Sequence, residues 1–237
     1  MLKRDSFFNE FLFFTVNPFN YEKRRGIMLK KFIVNSLLII GVLLVISPFI
    51  KDQIVVQVTN RHMAAIIPDE FEQNLNAEVE FDFAVVQPIE VVDVLATWNT
   101  NLPIIGEIII PTVDIHLPII NGVSNASLSV GAATMKPNQV MGEGNYSLAS
   151  HRMNNPNLLF TPLERVNLND HVYLKDAHHR YTYKITEIII IEPERVDVIE
   201  DVEGEQLLTL ITCTADGTQR LKVRGELIEI SSVKDSE

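Results

Sequence analysis

An uncharged run from Phe32 to Ile50 constrains this chain more than any other feature of its sequence. As an α-helix the run would extend ~28 Å, close to the ~30 Å hydrocarbon thickness of a bilayer. Five basic residues precede the run and one follows it closely, which predicts a cytoplasmic N-terminus. The preceding residues are Lys23, Arg24, Arg25, Lys30 and Lys31, and the following one is Lys51. The sequence thus predicts a cytoplasmic segment at residues 1–31, a transmembrane signal anchor at 32–50, and a remainder outside the cell.

Two other interpretations of the run are less consistent with its ends. A cleaved signal peptide has a shorter apolar region that finishes in small residues, whereas this run finishes Ser47-Pro48-Phe49-Ile50. A buried core helix would need neither this length nor the basic flank. The segment Met28-Leu29-Lys30-Lys31 would itself make a basic start for an anchor, so translation from Met28 is a hypothesis.

The net charge of −11 is unevenly distributed. Residues 1–31 carry seven Lys or Arg and three acids, so the rest of the chain is strongly acidic. Phosphate binding depends on clustered cations, and an acidic body therefore argues against nucleic acid as a partner.

Beyond the anchor, the pattern predicts a mainly β domain. Residues 51–101 mix short apolar runs with acids and prolines, which indicates a partly helical stalk or linker. Residues 102–237 form the predicted domain, because short β-branched segments alternate there with turn-forming residues, which is typical of an antiparallel barrel or sandwich. The segments are Glu107–Ile110, Val113–Ile120, Tyr146–Ser150, His171–Lys175, Arg180–Ile191, Leu207–Thr214 and Arg220–Ile230.

The only cysteine of the chain, Cys213, is the candidate nucleophile. An unpaired cysteine in an extracellular domain suggests intermolecular bonding or a reactive thiol, and a reactive thiol needs a base nearby. Of the six histidines, His151 ends a predicted strand at an irregular segment, where catalytic side chains are often displayed. Pairing across the turn Ala215-Asp216-Gly217 would return Arg220 close to Cys213, although a solvated strand face also explains this arginine.

Three segments in this order resemble the class A sortases, the membrane-anchored transpeptidases of Gram-positive bacteria. They are Leu148-Ala149-Ser150-His151, Thr209-Leu210-Ile211-Thr212-Cys213, and Gln219-Arg220 leading into Val223-Arg224-Gly225-Glu226-Leu227. The resemblance implies an eight-stranded β-barrel with short helices. It also implies an enzyme that cleaves an LPxTG-type sorting signal between Thr and Gly, forms a thioester, and passes the protein to an amine of a peptidoglycan precursor.

The resemblance also implies roles for individual residues. Cys213 would be the nucleophile, His151 the acid and base, and Arg220 the group that binds the substrate backbone and the oxyanion. Ala149, Thr209 and Ile211 match positions of the substrate groove, and Val196, Val198 and Ile199 match the apolar pocket for the leucine of the signal. Strand and loop packing is the alternative explanation for these six.

No cofactor or metal is expected. Some class A sortases bind calcium through acids upstream of the histidine and in the loop before the cysteine strand. Here Met135–Val140 contains no acid, Glu143 is the nearby one, and Asp201 remains in the loop. The sequence therefore predicts calcium-independent activity.

The expected partners are LPxTG-bearing surface proteins, a peptidoglycan-precursor amine, and membrane lipid around Phe32–Ile50. Two alternatives stay open. A pilin-polymerising sortase would carry a C-terminal membrane helix and an aspartate-aromatic lid, neither of which is evident. A non-catalytic, membrane-anchored β-barrel binding module would keep Cys213 as a buried apolar residue. A papain-like peptidase would place its cysteine before its histidine, the reverse of the order here.

Overall fold

The computed structural model describes residues 18–81 and 91–233. The predicted cytoplasmic segment lies outside these residues up to position 17, as do residues 82–90 of the predicted stalk. The chain divides into two compact units, Met1–Pro48 and Phe49–Glu237. The helices are α1 (Pro18–Ala64), α2 (Phe71–Leu75), α3 (Val91–Ala96) and α4 (Asn125–Val130).

Within α1, the stretch Lys30–Ser47 is long and apolar enough to cross a membrane, with a mean hydropathy of 2.0. Its large apolar side chains are exposed, Leu37, Leu38 and Leu44 among them. Such exposure is unfavourable in water and favourable in lipid. This helix is consistent with the membrane anchor predicted from the sequence.

The described part of the second unit contains a closed barrel of eight strands in the order β1-β2-β3-β4-β7-β8-β6-β5. The mainly β, eight-stranded fold is therefore confirmed. The strands are β1 (Ile104–Ile110), β2 (Ile115–Ile120), β3 (Ala132–Thr134), β4 (Asn145–Ala149), β5 (His171–Lys175), β6 (His179–Ile191), β7 (Leu207–Cys213) and β8 (Arg220–Ser232).

The barrel departs from the sequence prediction in two respects. Strand β3 was not predicted, because Ala132–Thr134 is too short to show an alternating pattern. The barrel is also not wholly antiparallel, since β2 pairs with β3 and β4 pairs with β7 in parallel. The second parallel pair matters most, because it brings together two strands that are distant in the sequence.

The main core fills the barrel interior, and the side-chain alternation of the strands decides which residues enter it. In β7 and β8 the buried residues Leu208, Leu210, Leu221 and Val223 belong to this core. A second, smaller cluster contains Ile191, Val198 and Ile211. Ile211 is an odd-numbered residue of β7, so it points to the opposite face from Leu210. The second cluster therefore lies on the outer face of the barrel.

Part of the segment predicted to be a stalk packs on the barrel. Val55 and Val58, in the last turns of α1, are buried in the main core, as is Phe71 in α2. The Thr59 hydroxyl donates a hydrogen bond to the Val130 carbonyl at the end of α4, at 2.9 Å. From Phe49 onward the chain is consequently part of the same compact unit as the barrel.

Candidate active site

The hairpin between β7 and β8 brings Cys213 and Arg220 together. The two residues are Cα partners in the antiparallel ladder, as the turn in the sequence predicts. The Thr214 amide donates to the Gln219 carbonyl at 3.0 Å, and Gly217 in the turn has φ +75°, a conformation that glycine adopts without strain. The turn thus fixes the register that sets the cysteine beside the arginine.

Asp216 stabilises this turn from within. Its carboxylate accepts hydrogen bonds from the hydroxyls of Thr214 (2.6 Å) and Thr218 (2.8 Å) and from the Thr218 amide (3.2 Å). These bonds lower the pKa of Asp216 to about 2, and the bond from Thr214 has the largest effect. The carboxylate is therefore charged at neutral pH and continues to accept these bonds.

The parallel pairing of β4 with β7 brings His151 toward Cys213. Ala149 is the partner of Ile211 in the last pair of this ladder. The Ser150 amide extends the contact with a 3.3 Å bond to the Ile211 carbonyl. Two residues further along each strand are His151 and Cys213, and neighbouring strands lie ~4.8 Å apart. Both residues line the same cleft.

Hydrogen bonds fix the backbone around the histidine. The Thr212 hydroxyl donates to the Ser150 carbonyl at 2.9 Å, which links the residue before Cys213 to the residue before His151. The Ser150 hydroxyl donates to the Leu128 carbonyl of α4 at 3.3 Å. The His151 amide also points to that carbonyl, at 3.4 Å. The strand end carrying the imidazole is therefore held from two sides.

The His151 imidazole is held in its neutral form at neutral pH. Burial, and to a lesser degree the positive charge of Lys51, lowers its pKa to about 4. Its Nε2 atom is buried and has no hydrogen-bond partner in the part of the chain that the structure describes. A neutral imidazole with an uncommitted nitrogen can accept a proton from a neighbouring thiol.

A cleft of about 320 Å³ brings together eight of the nine predicted site residues. Cys213, His151 and Arg220 line it, and Cys213 is partly exposed there. The apolar residues that line it include all but one of the predicted substrate positions, namely Ala149, Val196, Val198, Ile199 and Ile211.

Thr209 is the predicted residue that does not line the cleft. It is fully buried, and its hydroxyl donates to the Asn145 side-chain carbonyl at 2.7 Å. The Asn145 amide group in turn donates to the carbonyls of Val198 and Glu200, each at 3.0 Å. Thr209 therefore supports the segment that forms the cleft wall.

Sequence reasoning missed several lining residues. Met135, Ile191 and Arg195 line the cleft, as does Thr212. Thr212 lies inside the segment Thr209-Leu210-Ile211-Thr212-Cys213 that carries the resemblance, so its position beside the cysteine was available as a signal. Arg195 donates to both carboxylate oxygens of Asp197, at 2.7 and 2.8 Å. No local sequence pattern predicted that the loop carrying Arg195, between β6 and β7, folds back over the barrel.

Other candidate ligands lie apart from the cleft. The ring nitrogens of buried His62 contact the backbone carbonyls of Val58 and Thr100. The His116 ring hydrogen-bonds the Glu107 carboxylate at 2.6 Å, and this bond lowers the pKa of Glu107. Asp201, a remaining acid at the expected calcium positions, accepts a 2.6 Å bond from Lys136. Within residues 18–81 and 91–233, no group of three or more His, Cys, Asp or Glu side chains converges as metal ligands.

Comparison with known proteins gives a consistent result. The sequence pattern of the Sortase domain family matches residues 108–228. Sortase A of Streptococcus agalactiae is 40% identical over 200 residues, covering 81% of each chain. Sortase A of Listeria monocytogenes is 37% identical over 206 residues, covering 84% of this chain and 92% of the relative. The solved structure of Listeria monocytogenes sortase A has a TM-score of 0.53 at 38% identity and covers 55% of this chain and 90% of that one.

Proposed function

Since the chain belongs to the sortase family and to its class A, we propose that Cys213, His151 and Arg220 form its active site. The function is that of a cell-wall-anchoring transpeptidase acting on LPxTG-type surface proteins. The relatives do not favour the non-catalytic binding module or the pilin-polymerising enzyme. The observation that carries the residue assignment is the single cleft lined by all three side chains.

Cleavage begins at the sulfur of Cys213. The thiol proton passes to the neutral His151 imidazole as the sulfur attacks the carbonyl carbon of the signal threonine. The tetrahedral oxyanion then collapses and the bond from this carbon to the glycine nitrogen breaks. The imidazolium donates its proton to the leaving amine, and the threonine remains bound to Cys213 as a thioester.

Transfer reverses these proton movements. An incoming amine attacks the thioester carbonyl, and the neutral His151 accepts a proton from the attacking nitrogen. A new amide bond forms as the bond to sulfur breaks, and the Cys213 thiolate recovers a proton from the imidazolium. The low pKa of His151 suits both donations, because its protonated form is a strong acid.

Arg220 stabilises the oxyanion and binds the substrate backbone. Its Nη1 atom donates to the Gly217 carbonyl at 3.3 Å and to the Gln219 carbonyl at 3.0 Å. These bonds hold the guanidinium at the hairpin that carries Cys213. A guanidinium has five N–H donors, so donors remain for a peptide carbonyl and for the negative oxygen.

The apolar wall of the cleft suits the leucine of the sorting signal. Val198 and Ile211 are buried there and pack against Ile191, with Ile199 beside them. Val196 is 65% exposed, so a bound apolar side chain would remove it from water. Burial of an apolar side chain contributes ~1.5–3 kcal/mol, which favours leucine over a polar residue at this position.

We infer further that the N-terminus is cytoplasmic, that Phe32–Ile50 contacts membrane lipid, and that the accepting amine belongs to a peptidoglycan precursor. The basic residues before the anchor support the orientation. An extracellular catalytic unit tethered at the membrane would meet both exported proteins and wall precursors at that surface.

The test is a ligation assay with the full chain in detergent micelles. An LPxTG peptide and an amine should give a ligated product of the expected mass, and omission of the amine should leave a thioester on Cys213. The variant Cys213→Ala should give neither. A ligated product from Cys213→Ala, or label on another residue, would refute the assignment.

Arg220 has a matched control on its own strand. Arg224 is also an outward-facing arginine of β8, four residues further along, and it does not line the cleft. Arg220→Ala should lower kcat/KM ~100-fold, the usual effect of removing an oxyanion donor. Arg224→Ala should retain most of the activity. The opposite result would transfer the role to Arg224.

A further inference from the structure

Lys222 is a buried lysine that the reaction described above does not use. It lies on β8, two residues after Arg220 and on the same outward-facing side of the strand. An outward-facing lysine is normally solvated, yet Lys222 is only 3% exposed. Lysines are almost never this buried without a partner, so a charged partner and a neighbouring segment of the chain must account for its burial.

The partner is Glu187 of β6, whose carboxylate forms an ion pair with the Lys222 ammonium. The two side chains differ in exposure, at 37% for Glu187 and 4% for Lys222. In the ladders, Lys222 is the Cα partner of Ile189 on β6 and of Ile211 on β7. The lysine therefore lies on β8 between two neighbouring strands, directly beside the cleft-lining Ile211.

The segment that packs on this strand face is the connection between β6 and β7, residues 192–206. It carries seven acids and a single base, Arg195. Its residue Val198 packs on Ile211, next to Lys222 in the ladder. The pKa of Asp197 is lowered, first by hydrogen bonds from Arg195 and to a smaller degree by the charge of Lys222. An acidic segment thus lies over a strand face that bears buried positive charge.

We propose that Lys222 is a positioning residue for recognition of the sorting peptide. Through Glu187 it ties β6 to β8, and through its charge it attracts the acidic segment 192–206. The apolar wall formed by Val198, Ile199 and Ile211 depends on both contacts for its shape. This inference rests on the proposed function, because the ligand of that wall is the apolar residue of the sorting signal.

Lys222 acts on peptide binding and not on the reacting groups. The row Ile191, Arg220 and Cys213 lies two residues along the ladder from the row Ile189, Lys222 and Ile211. The hairpin turn holds Cys213 and Arg220 independently of the ion pair. Loss of the lysine charge should therefore weaken binding of the signal and leave the chemical steps nearly unchanged.

The central variant is Lys222→Met, which keeps the aliphatic stem and removes the charge. The Glu187 side chain is 37% exposed, although its Oε1 atom, which contacts the lysine, is buried. Replacing one member of a buried pair often destabilises a protein, so Lys222→Met/Glu187→Gln, in which neither charge remains, is the second variant. Lys222→Arg keeps the charge and is the rescue variant. Lys184→Met is the matched control, since it removes a half-buried cation of β6 whose Cα partner is Glu226 and which does not line the cleft.

All variants are assayed as full chains in detergent, with an LPxTG peptide and an amine. For Lys222→Met we expect KM for the peptide to rise about tenfold and kcat to stay within about twofold, the pattern expected when an interaction contributes only to substrate binding. Alkylation of Cys213 by iodoacetamide, which needs no peptide, should keep its wild-type rate. Lys222→Arg should keep the wild-type KM, and Lys184→Met should leave it unchanged.

The proposal is overturned if folded Lys222→Met has a wild-type KM, or if its kcat and alkylation rate fall while its KM rises. If Lys222→Met does not fold, the double variant decides the question by the same measurements, and a wild-type KM there overturns the proposal. Absence of ligation by the wild-type chain would instead refute the proposed function. The two failures are therefore distinguishable.

Discussion

The two faces of the β7–β8 hairpin have the same backbone and opposite chemistry. The inner face carries Leu208, Leu210, Leu221 and Val223, all buried in the barrel core. The outer face carries Cys213 and Arg220, which line the cleft, and Lys222, which lies beside the cleft-lining Ile211. A strand presents alternate residues to opposite sides, so a single hairpin supplies both the core and the reactive groups.

The comparison teaches that stability and chemistry can be altered separately in this hairpin. An inner-face residue contributes through packing, whose loss affects the free energy of unfolding. An outer-face residue contributes through its functional group, whose loss affects the reaction. Thr212, which is buried and also lines the cleft, should affect both.

The largest expected difference is between Cys213→Ala and Leu210→Ala. Cys213→Ala should abolish ligation and leave the thermal midpoint nearly unchanged, because the thiol is partly exposed. Leu210→Ala should lower the free energy of unfolding by ~2–5 kcal/mol, through lost burial and the cavity that remains. The folded fraction of Leu210→Ala should still form the thioester. Activity assays and urea denaturation measure the two effects, and a thermal midpoint that falls as far in Cys213→Ala as in Leu210→Ala would remove the distinction.

His151 should make stability depend on pH. Its pKa in the folded chain is about 4, below the ordinary 6.5, so the unfolded chain binds this proton first as the pH falls. Above pH 6.5 the His151 proton does not affect the free energy of unfolding. As the pH falls toward 4, this group lowers the free energy of unfolding by up to ~3 kcal/mol. Urea denaturation at pH 7 and pH 5 measures the decline.

Two variants isolate this contribution from other titrating groups. His151→Gln should lack this component of the decline, and equal pH dependence in the two proteins would contradict the assignment. Lys51→Met should raise the pKa of His151 only part of the way, since burial is the larger cause. NMR titration of the imidazole in the full chain gives both values directly.

Thr212→Val should produce a smaller, mixed effect. The substitution keeps the shape of the side chain and removes the bond to the buried Ser150 carbonyl. An unsatisfied buried group costs ~1–3 kcal/mol of stability. The adjoining His151 should lose alignment with Cys213, so kcat should fall while the alkylation rate of the cysteine changes less. Thr212→Ser retains the hydroxyl and should retain kcat; equal losses in both variants would show that the bond has no role in alignment.

The smallest expected effect is that of calcium. The Lys136 ammonium already donates a hydrogen bond to the Asp201 carboxylate. The same carboxylate also accepts a 2.8 Å bond from the backbone amide of Asn145. Both interactions lower the pKa of Asp201. We therefore expect the ligation rate of metal-free enzyme to be unchanged by calcium. A large increase would contradict this, and the same measurement on Lys136→Met tests whether the lysine prevents binding.

The fold was predictable where the sequence pattern is local. Strand β5 has the predicted bounds His171–Lys175, and the hairpin pairs Cys213 with Arg220 as the short turn requires. Strand β3 was missed, because three residues are too few to show a period. The parallel pairing of β4 with β7 also escaped prediction, since nothing within either strand specifies a neighbour so distant along the chain.

The sequence by itself determined the membrane-compatible helix, the alternation of the strands and the candidate side chains, because each of these depends on the composition or spacing of neighbouring residues. Only the tertiary structure decided that His151 shares a cleft with Cys213, that Thr209 supports the cleft wall through Asn145, and that Lys222 is buried. These outcomes depend on which strands become neighbours and on where residues 192–206 fold. Both are set by contacts between residues far apart in the chain, which local patterns do not encode.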